Sequence, residues 1–377
     1  MSEQIVRRTE RIMDAQSAVP WLMVIGVYAL LTAVGPKLLS DPDTYSHIAL
    51  GRWILEHGTV PTTDPFSATL RGTHWVAFEW LSQVVFAIAH AAAGWTGVIA
   101  VTAVAMATAL GLLGRFLQRE WQPTAVLVAV LCAILLTAPH ILARPHILAL
   151  PVTIAWIALL IRAVDTRSSP PWLLLFALYR GVTLPWLRIV MLFGVLHLSL
   201  SQVRHADLLG LLAPILLARP LAEQFKEIAA DQASSGMRRP AWVAAAALVV
   251  LIGITGLASI RSVMPADRIT PARAIRAVDI VGAGPILNDY DFGGYLDFVG
   301  IPPFIDGRSE LYGQAFILRQ DRALSLQNLP DFLRLLDDYS IRTTLLAPST
   351  PAVALLDRLP DWRRAYADEI AVVHTRR

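Results

Sequence analysis

Disulfides are excluded at once, because the chain holds one cysteine, Cys132, set inside an apolar run. A lone cysteine equally excludes a cysteine-based metal site. Charge is the second scarcity. Asp, Glu, Lys and Arg make up 16% of the sequence, where a soluble domain carries about 25%. A net charge of +3 spread over 377 residues leaves no basic patch, so no nucleic-acid partner is expected. A glycine-rich phosphate fingerprint is also missing, and no small-residue cleavage site follows the first apolar run, which is expected to be retained. What the chain does have is hydrophobic residues, at 55% with a mean hydropathy of +0.54. It reads as a helical membrane protein whose first partner is the lipid bilayer.

Charge-free stretches long enough to cross about 30 Å of hydrocarbon cover residues 15–36, 96–114, 121–143, 145–161 and 240–260. The run 80–114 is too long for one span and is broken by "AAAGWTG" at Gly94, which predicts an interfacial or re-entrant helix over 79–93 and then a span. Between 170 and 218 the pattern is interrupted by Arg180, Pro185 and Arg188; 189–203 is long enough only if tilted, and 208–218 is short. About seven crossings with residues 1–14 cytoplasmic place Arg7, Arg8, Arg115, Arg162 and Lys226 inside, in accord with the positive-inside rule. The expected organisation is a transmembrane domain over 15–260 with an external loop at 40–79, then a soluble domain over 265–377. In that tail, short β-rich runs ("PILND", "GYLDFV", "PPFID", "TTLLAP", "IAVVHT") alternate with helical ones ("FLRLLDDY", "VALLDRL"), which predicts a small α/β fold. The expected location is the plasma (inner) membrane, multi-pass, with the tail extracytoplasmic.

Ionisable residues crowd into a few places. In "SDPDTYSHIALGRWILEHG" Asp41 reads as a helix N-cap, Pro42 as N1 and Gly58 as the C-terminal stop. Asp43 and His47 are four apart and share a helix face. A carboxylate beside an imidazole suits proton abstraction from a hydroxyl, and it is also the chemistry that holds a divalent cation, although no metal is indicated. Asp64-Pro65 reads as a second capped turn. Glu79 is the last charge before a long uncharged run, either an interfacial anchor or a site residue. In "APHILARPH" a Pro-bounded turn carries His140, Arg144 and His146; an arginine fork matches phosphate, and the plain alternative is a headgroup anchor. "SQVRHAD" adds Arg204 and His205 beside Asp207, a costly place for charge unless it is a tight loop. In the tail, Asp289, Asp291, Asp306, Arg308, Glu310 and Tyr312 are expected at strand ends as recognition residues, although Asp-Gly and Gly-Gly also make plain turns.

An acidic helix in the first external loop, followed by "EWLSQVVFAIAHAAAGWTGVIAVTAVAMATALGLLGRFLQ", resembles the opening of the GT-C class of membrane glycosyltransferases, the bacterial aminoarabinose transferases and protein mannosyltransferases among them. Together with "RPH" and the tail "NDYDFGGYL…FIDGRSELYG", the pattern looks like a group of uncharacterised bacterial members of that class. The resemblance implies transfer of a sugar from a polyprenyl-phosphate donor to an acceptor on the outer face. Asp43, with His47, would take the base position. Arg144 would meet the lipid phosphate, with His146 and Arg204 behind it, and Asp41, Glu79, His140 and His205 would help bind substrate. Members of the class have more spans and a polar Asn-His stretch that is missing here, which suggests a shortened copy lacking helices around 178–187. The competing expectation is a non-catalytic membrane scaffold or receptor whose α/β tail binds a ligand or partner.

Overall fold

The computed structural model describes residues 20–165, 206–224, 241–261, 263–277 and 285–377. The chain divides into two compact units, one formed by 1–34, 100–141 and 146–261, the other by 35–99, 142–145 and 262–377.

The first unit is helical. Its elements are α1 (Pro20–Ala33), the second half of α3 (Trp80–Leu117), α4 (Pro123–Thr137), α5 (Pro145–Asp165), α6 (Ala206–Gln224) and α7 (Ala241–Ser259). Small residues set the packing: Gly111 and Gly114 meet Val24 and Met23 of α1, and Gly210 of α6 meets Leu136 and Ala133 of α4. Trp121 donates its indole N–H to the Ala218 carbonyl at 2.7 Å, and Tyr28 and Thr255 join their hydroxyls.

Among the described residues three helices are long and apolar enough to cross a membrane: Trp80–Leu117, Pro123–His140 and Pro145–Ala163. Leu127, Leu131 and Leu135 recur every fourth residue on α4 and are exposed, as expected of a face turned to lipid rather than water. The expectation of about seven spans is not supported. Pro20–Ala33, Gly210–Arg219 and Ala245–Ser259 are shorter apolar stretches among the described residues. The expected crossing over 189–203 and the missing-helix position at 178–187 lie outside the described residues.

The second unit is α/β and is more than the tail. Residues 262–377 share it with the whole first loop, with the first half of α3 and with the turn Leu142–Pro145. Its sheet, in the order β1-β2-β4-β3, is built from β1 (Ile286–Asn288), β2 (Thr343–Leu346), β3 (Trp362–Ala367) and β4 (Val372–Arg376). β1 and β2 are parallel; β4 pairs antiparallel with both β2 and β3. On one side lies a core of Phe304, Phe332, Leu336, Leu346 and Leu356, supplied partly by α10 (Ser309–Leu324), α11 (Leu329–Asp338) and α12 (Pro351–Leu356). A smaller core of Ala274, Phe292, Leu296 and Val373 involves α8 (Ala272–Ala277) and α9 (Gly293–Val299). The expected strand at "GYLDFV" is α9, and "PPFID" contributes only a bridge from Pro303 to Ile286. Gly293 and Gly294 explain the first difference. A Cβ on Gly294 would strike the Pro42 carbonyl and one on Gly293 the Ile305 carbonyl, so the segment packs backbone to backbone as a helix.

Within this unit α2 (Asp43–His57) ends at Gly58, whose φ of 66° is the left-handed stop expected there. The break expected at Gly94 is present: Ala93 and Gly94 leave helical geometry, and Gly94 takes a φ of 57°. α2 lies so close to the first half of α3 that a Cβ on Gly51 would collide with the Gln83 carbonyl and sit 2.8 Å from the Ala87 Cβ. Gly51→Val should therefore cost about 1–3 kcal/mol through overpacking and lower the thermal midpoint of the detergent-solubilised protein. Gly253→Ala on α7, where nothing lies within 4 Å, should leave it unchanged or raise it slightly.

Candidate functional site

The site starts from a turn. The Ala143 N–H donates to the Leu38 carbonyl at 2.8 Å, and the Thr44 hydroxyl donates to the Ala143 carbonyl at 3.2 Å. That pins Leu142–Pro145 beside the start of α2 and delivers Arg144 to two carboxylates about a hundred residues earlier in the chain. Its Nε donates to Asp41 and its Nη2 to Asp43 at 2.9 Å. Two of the three guanidinium nitrogens are thus committed, and Nη1 has no partner among the described residues.

The two aspartates differ as cap chemistry predicts, with the helix start one residue later than expected. Pro42 holds the N-cap position without a side-chain bond, while Asp41 is buried and accepts the Asp43 N–H at 2.9 Å. Asp43 opens the helix with no backbone donor on its carboxylate. Burial pushes its pKa from 3.8 to about 7, helped by the Asp41 charge, opposed by Arg144, and raised further by Asp306 and Asp291. His47 approaches Gln83 Nε2 at 3.4 Å and Glu79 at 3.9 Å. Burial raises the Glu79 pKa, with Glu310 adding to it and Arg144 opposing it.

From the tail, Gly307 completes the enclosure. A Cβ there would overlap the Asp43 carboxylate, so only glycine fits. Its neighbours hold it in place. Asp306 takes Arg308 Nε at 2.8 Å, Arg308 Nη2 at 2.5 Å and the Tyr312 hydroxyl at 2.8 Å. Arg308 Nη1 reaches Asp64 at 2.6 Å, and Arg308 lies over the rings of Trp75 and Phe66. Asp64 also accepts the N–H groups of Phe66 and Ser67. Burial would raise its pKa, but the Arg308 charge and these bonds bring it below the usual value. Glu310 accepts the Trp75 indole N–H at 3.0 Å.

The sequence-predicted residues therefore separate by role. Asp41, Asp43, His47, Glu79 and Arg144 fall together at the head of α2. Asp306, Arg308 and Tyr312 are buried structural partners rather than exposed recognition groups, because their donors and acceptors are spent on one another and on Asp64. Asp289 does follow the end of β1, where it accepts the Thr350 hydroxyl at 3.2 Å, and Asp291 lies 3.8 Å from Arg268. His140 and His146 belong to the helical unit, and Arg204 and His205 lie outside the described residues. Among the described residues no group of three or more His, Cys, Asp or Glu is placed to hold a metal ion.

Two residues escaped the sequence reading. Tyr290 has its pKa lifted to about 12 by burial and by the charges of Asp43 and Asp306; it stands between the quoted Asp289 and Asp291. Asp297, inside α9, is buried and accepts the Ser46 hydroxyl at 2.8 Å, its other oxygen unpaired. Burial raises its pKa well above the ordinary carboxylate value, with the Asp306 charge adding to it and Arg308 opposing it. Asp64 was legible as a turn but not as the partner of an arginine 244 positions away.

Two outcomes are expected. Arg308→Met strands Asp64 and Asp306 as unpaired buried charges and should cost about 3–5 kcal/mol, read as a large drop in thermal midpoint. Asp43 binds its proton more tightly folded than unfolded, so its contribution to stability is fully present below pH 3.8 and is lost as pH rises through about 7. Wild type should thus lose stability across that window, by an amount bounded on the order of 4 kcal/mol, and Asp43→Asn should flatten the slope in a pH series of melts. Comparison with family models, with curated proteins and with solved structures finds no match for this chain.

Proposed function

We propose that the protein is a GT-C-like membrane glycosyltransferase that moves a sugar from a polyprenyl-phosphate donor to an acceptor hydroxyl on the extracytoplasmic face. The observation that supports this reading is Asp43: a partly buried carboxylate with a pKa near 7, held by Arg144 at 2.9 Å at the head of a helix. A base poised near the working pH is what proton abstraction from a hydroxyl requires. In a single displacement the acceptor oxygen attacks the anomeric carbon as its proton passes to Asp43. The bond from that carbon to the phosphate oxygen breaks, and polyprenyl phosphate leaves with the electron pair. Arg144 orients Asp43 through Nη2 and offers Nη1 to a phosphate oxygen, its side chain being half-exposed. The setting is a multi-pass protein of the plasma (inner) membrane, N-terminus cytoplasmic, with the α/β unit outside; the three long apolar helices support membrane association.

A second reading, a non-catalytic scaffold with a partner-binding α/β unit, is favoured by one observation. Most of the polar residues in "FIDGRSELY" are consumed in the internal network around Arg308.

Reconstituted membranes loaded with polyprenyl-phosphate sugars separate the two. Wild type should transfer sugar with a rate that rises with pH through about 7, where Asp43 ionises. Asp43→Asn should lower the rate by about 10²–10⁴-fold. Transfer unaffected by Asp43→Asn removes Asp43 as the base, and no transfer from any donor, with a partner captured by the α/β unit, leaves the scaffold.

A further inference from the structure

A second cationic feature of the α/β unit plays no part in the sugar-transfer reading. Arg52, two turns after Tyr45 on α2, stacks its guanidinium over the Phe298 ring of α9 at 4.2 Å. Its Nη2 lies 3.2 Å from His90 Nδ1. An arginine here can only donate, so Nδ1 accepts and a neutral His90 carries its proton on Nε2. Trp95 closes the cluster, edge-on to His90 at 4.8 Å and tilted against Phe298 at 5.6 Å. No carboxylate among the described residues forms an ion pair with Arg52. Burial pulls its pKa below the usual arginine value, and Glu56, one turn further along α2, opposes that only by its longer-range charge. A half-buried guanidinium stacked on one face and capped by an imidazole, with no counter-ion, leaves a charge requirement that the protein does not meet.

The surroundings say what meets it. Each of the three contributing elements exposes a large apolar side chain close in sequence: Leu55 on α2 at 50%, Ile88 on α3 at 52% and Val299 at the end of α9 at 40%. Phe78, just before α3, and Leu81 in its first turn are 81% and 59% exposed. A cation on elements that also expose large apolar side chains is suited to the membrane–water boundary, where phosphate groups are abundant.

We propose that Arg52, His90 and the Phe298 ring form a binding site for the phosphate headgroup of a membrane lipid. The guanidinium supplies charge-assisted donors to the phosphate oxygens, the His90 Nε2–H adds a neutral one, and the acyl chains lie along the exposed Leu55, three residues beyond Arg52 on the same face of α2. The site does not depend on sugar transfer.

The full-length protein in a phosphate-free neutral detergent tests this. Phosphatidylglycerol should raise its thermal midpoint and remain bound in native mass spectrometry, whereas diacylglycerol, which lacks the phosphate, should do neither. Arg52→Gln should weaken phosphatidylglycerol binding by about ten-fold or more, the scale of one charge-assisted hydrogen bond, while melting like wild type without lipid. Arg52→Lys, which keeps the charge but loses the fork, should bind in between, and it serves if the glutamine variant does not fold. Equal phosphatidylglycerol binding by wild type and both variants overturns the site. Stabilisation by sodium phosphate that matches the lipid and is lost in Arg52→Gln overturns the lipid assignment in favour of a free anion.

Discussion

The α/β unit depends on a single buried arginine. Arg308 joins Asp64 of the first loop to Asp306 of the tail at 2.6 and 2.5 Å, and the residue between Asp306 and Arg308 is Gly307, the one that closes over Asp43. Ion pairing therefore does two things at once. It ties segments more than 240 positions apart into one unit, and it presses a bare backbone against the carboxylate at the head of α2. Desolvation of Asp43 is the largest cause of its raised pKa, ahead of the Asp41 charge. Because removal of one member leaves the others charged and buried, the network is costly to break even where the intact pair contributes little net stability.

Asp43 and Asp297 bear the same desolvation cost in different settings. Asp297 has no arginine on its carboxylate and accepts only the Ser46 hydroxyl in the α2–α9 seam, so burial pushes its pKa well up. Asp43 has Arg144 beside it, which offsets part of the desolvation and leaves the group balanced between its two forms near neutral pH. Arg144 reaches it only because Ala143 is hydrogen-bonded on both sides, to Leu38 and to Thr44. The Pro-bounded turn thus has a structural purpose whatever reaction it serves.

Local signals were legible in the sequence and long-range pairings were not. Gly58 as a helix stop, the break at Gly94, and the segments β1, β2, β4, α11 and α12 follow from residue type and spacing within a few positions. α9 was misread as a strand because seven residues with mixed polarity fit either period, and what decides it, the approach of Gly293 and Gly294 to distant backbone, lies outside any local window. Asp64 and Arg308 each looked like an ordinary turn residue; nothing in either stretch names the other. The separation of Asp41 from Asp43 did follow from cap chemistry, whereas the pKa of Asp43 required knowing that Gly307 covers it. Of the expected crossings, three are long apolar helices among the described residues, because absence of charge over a stretch does not by itself make a helix of membrane length.

The central claim is that burial under Gly307, set against Arg144, holds Asp43 half-ionised near neutral pH. Isotope-edited infrared titration of the Asp43 carboxyl, taken as the difference between wild type and Asp43→Asn, measures that directly. A carboxylic C=O band that disappears with a midpoint near pH 7 is the predicted result; a midpoint near the ordinary 3.8 would contradict the account.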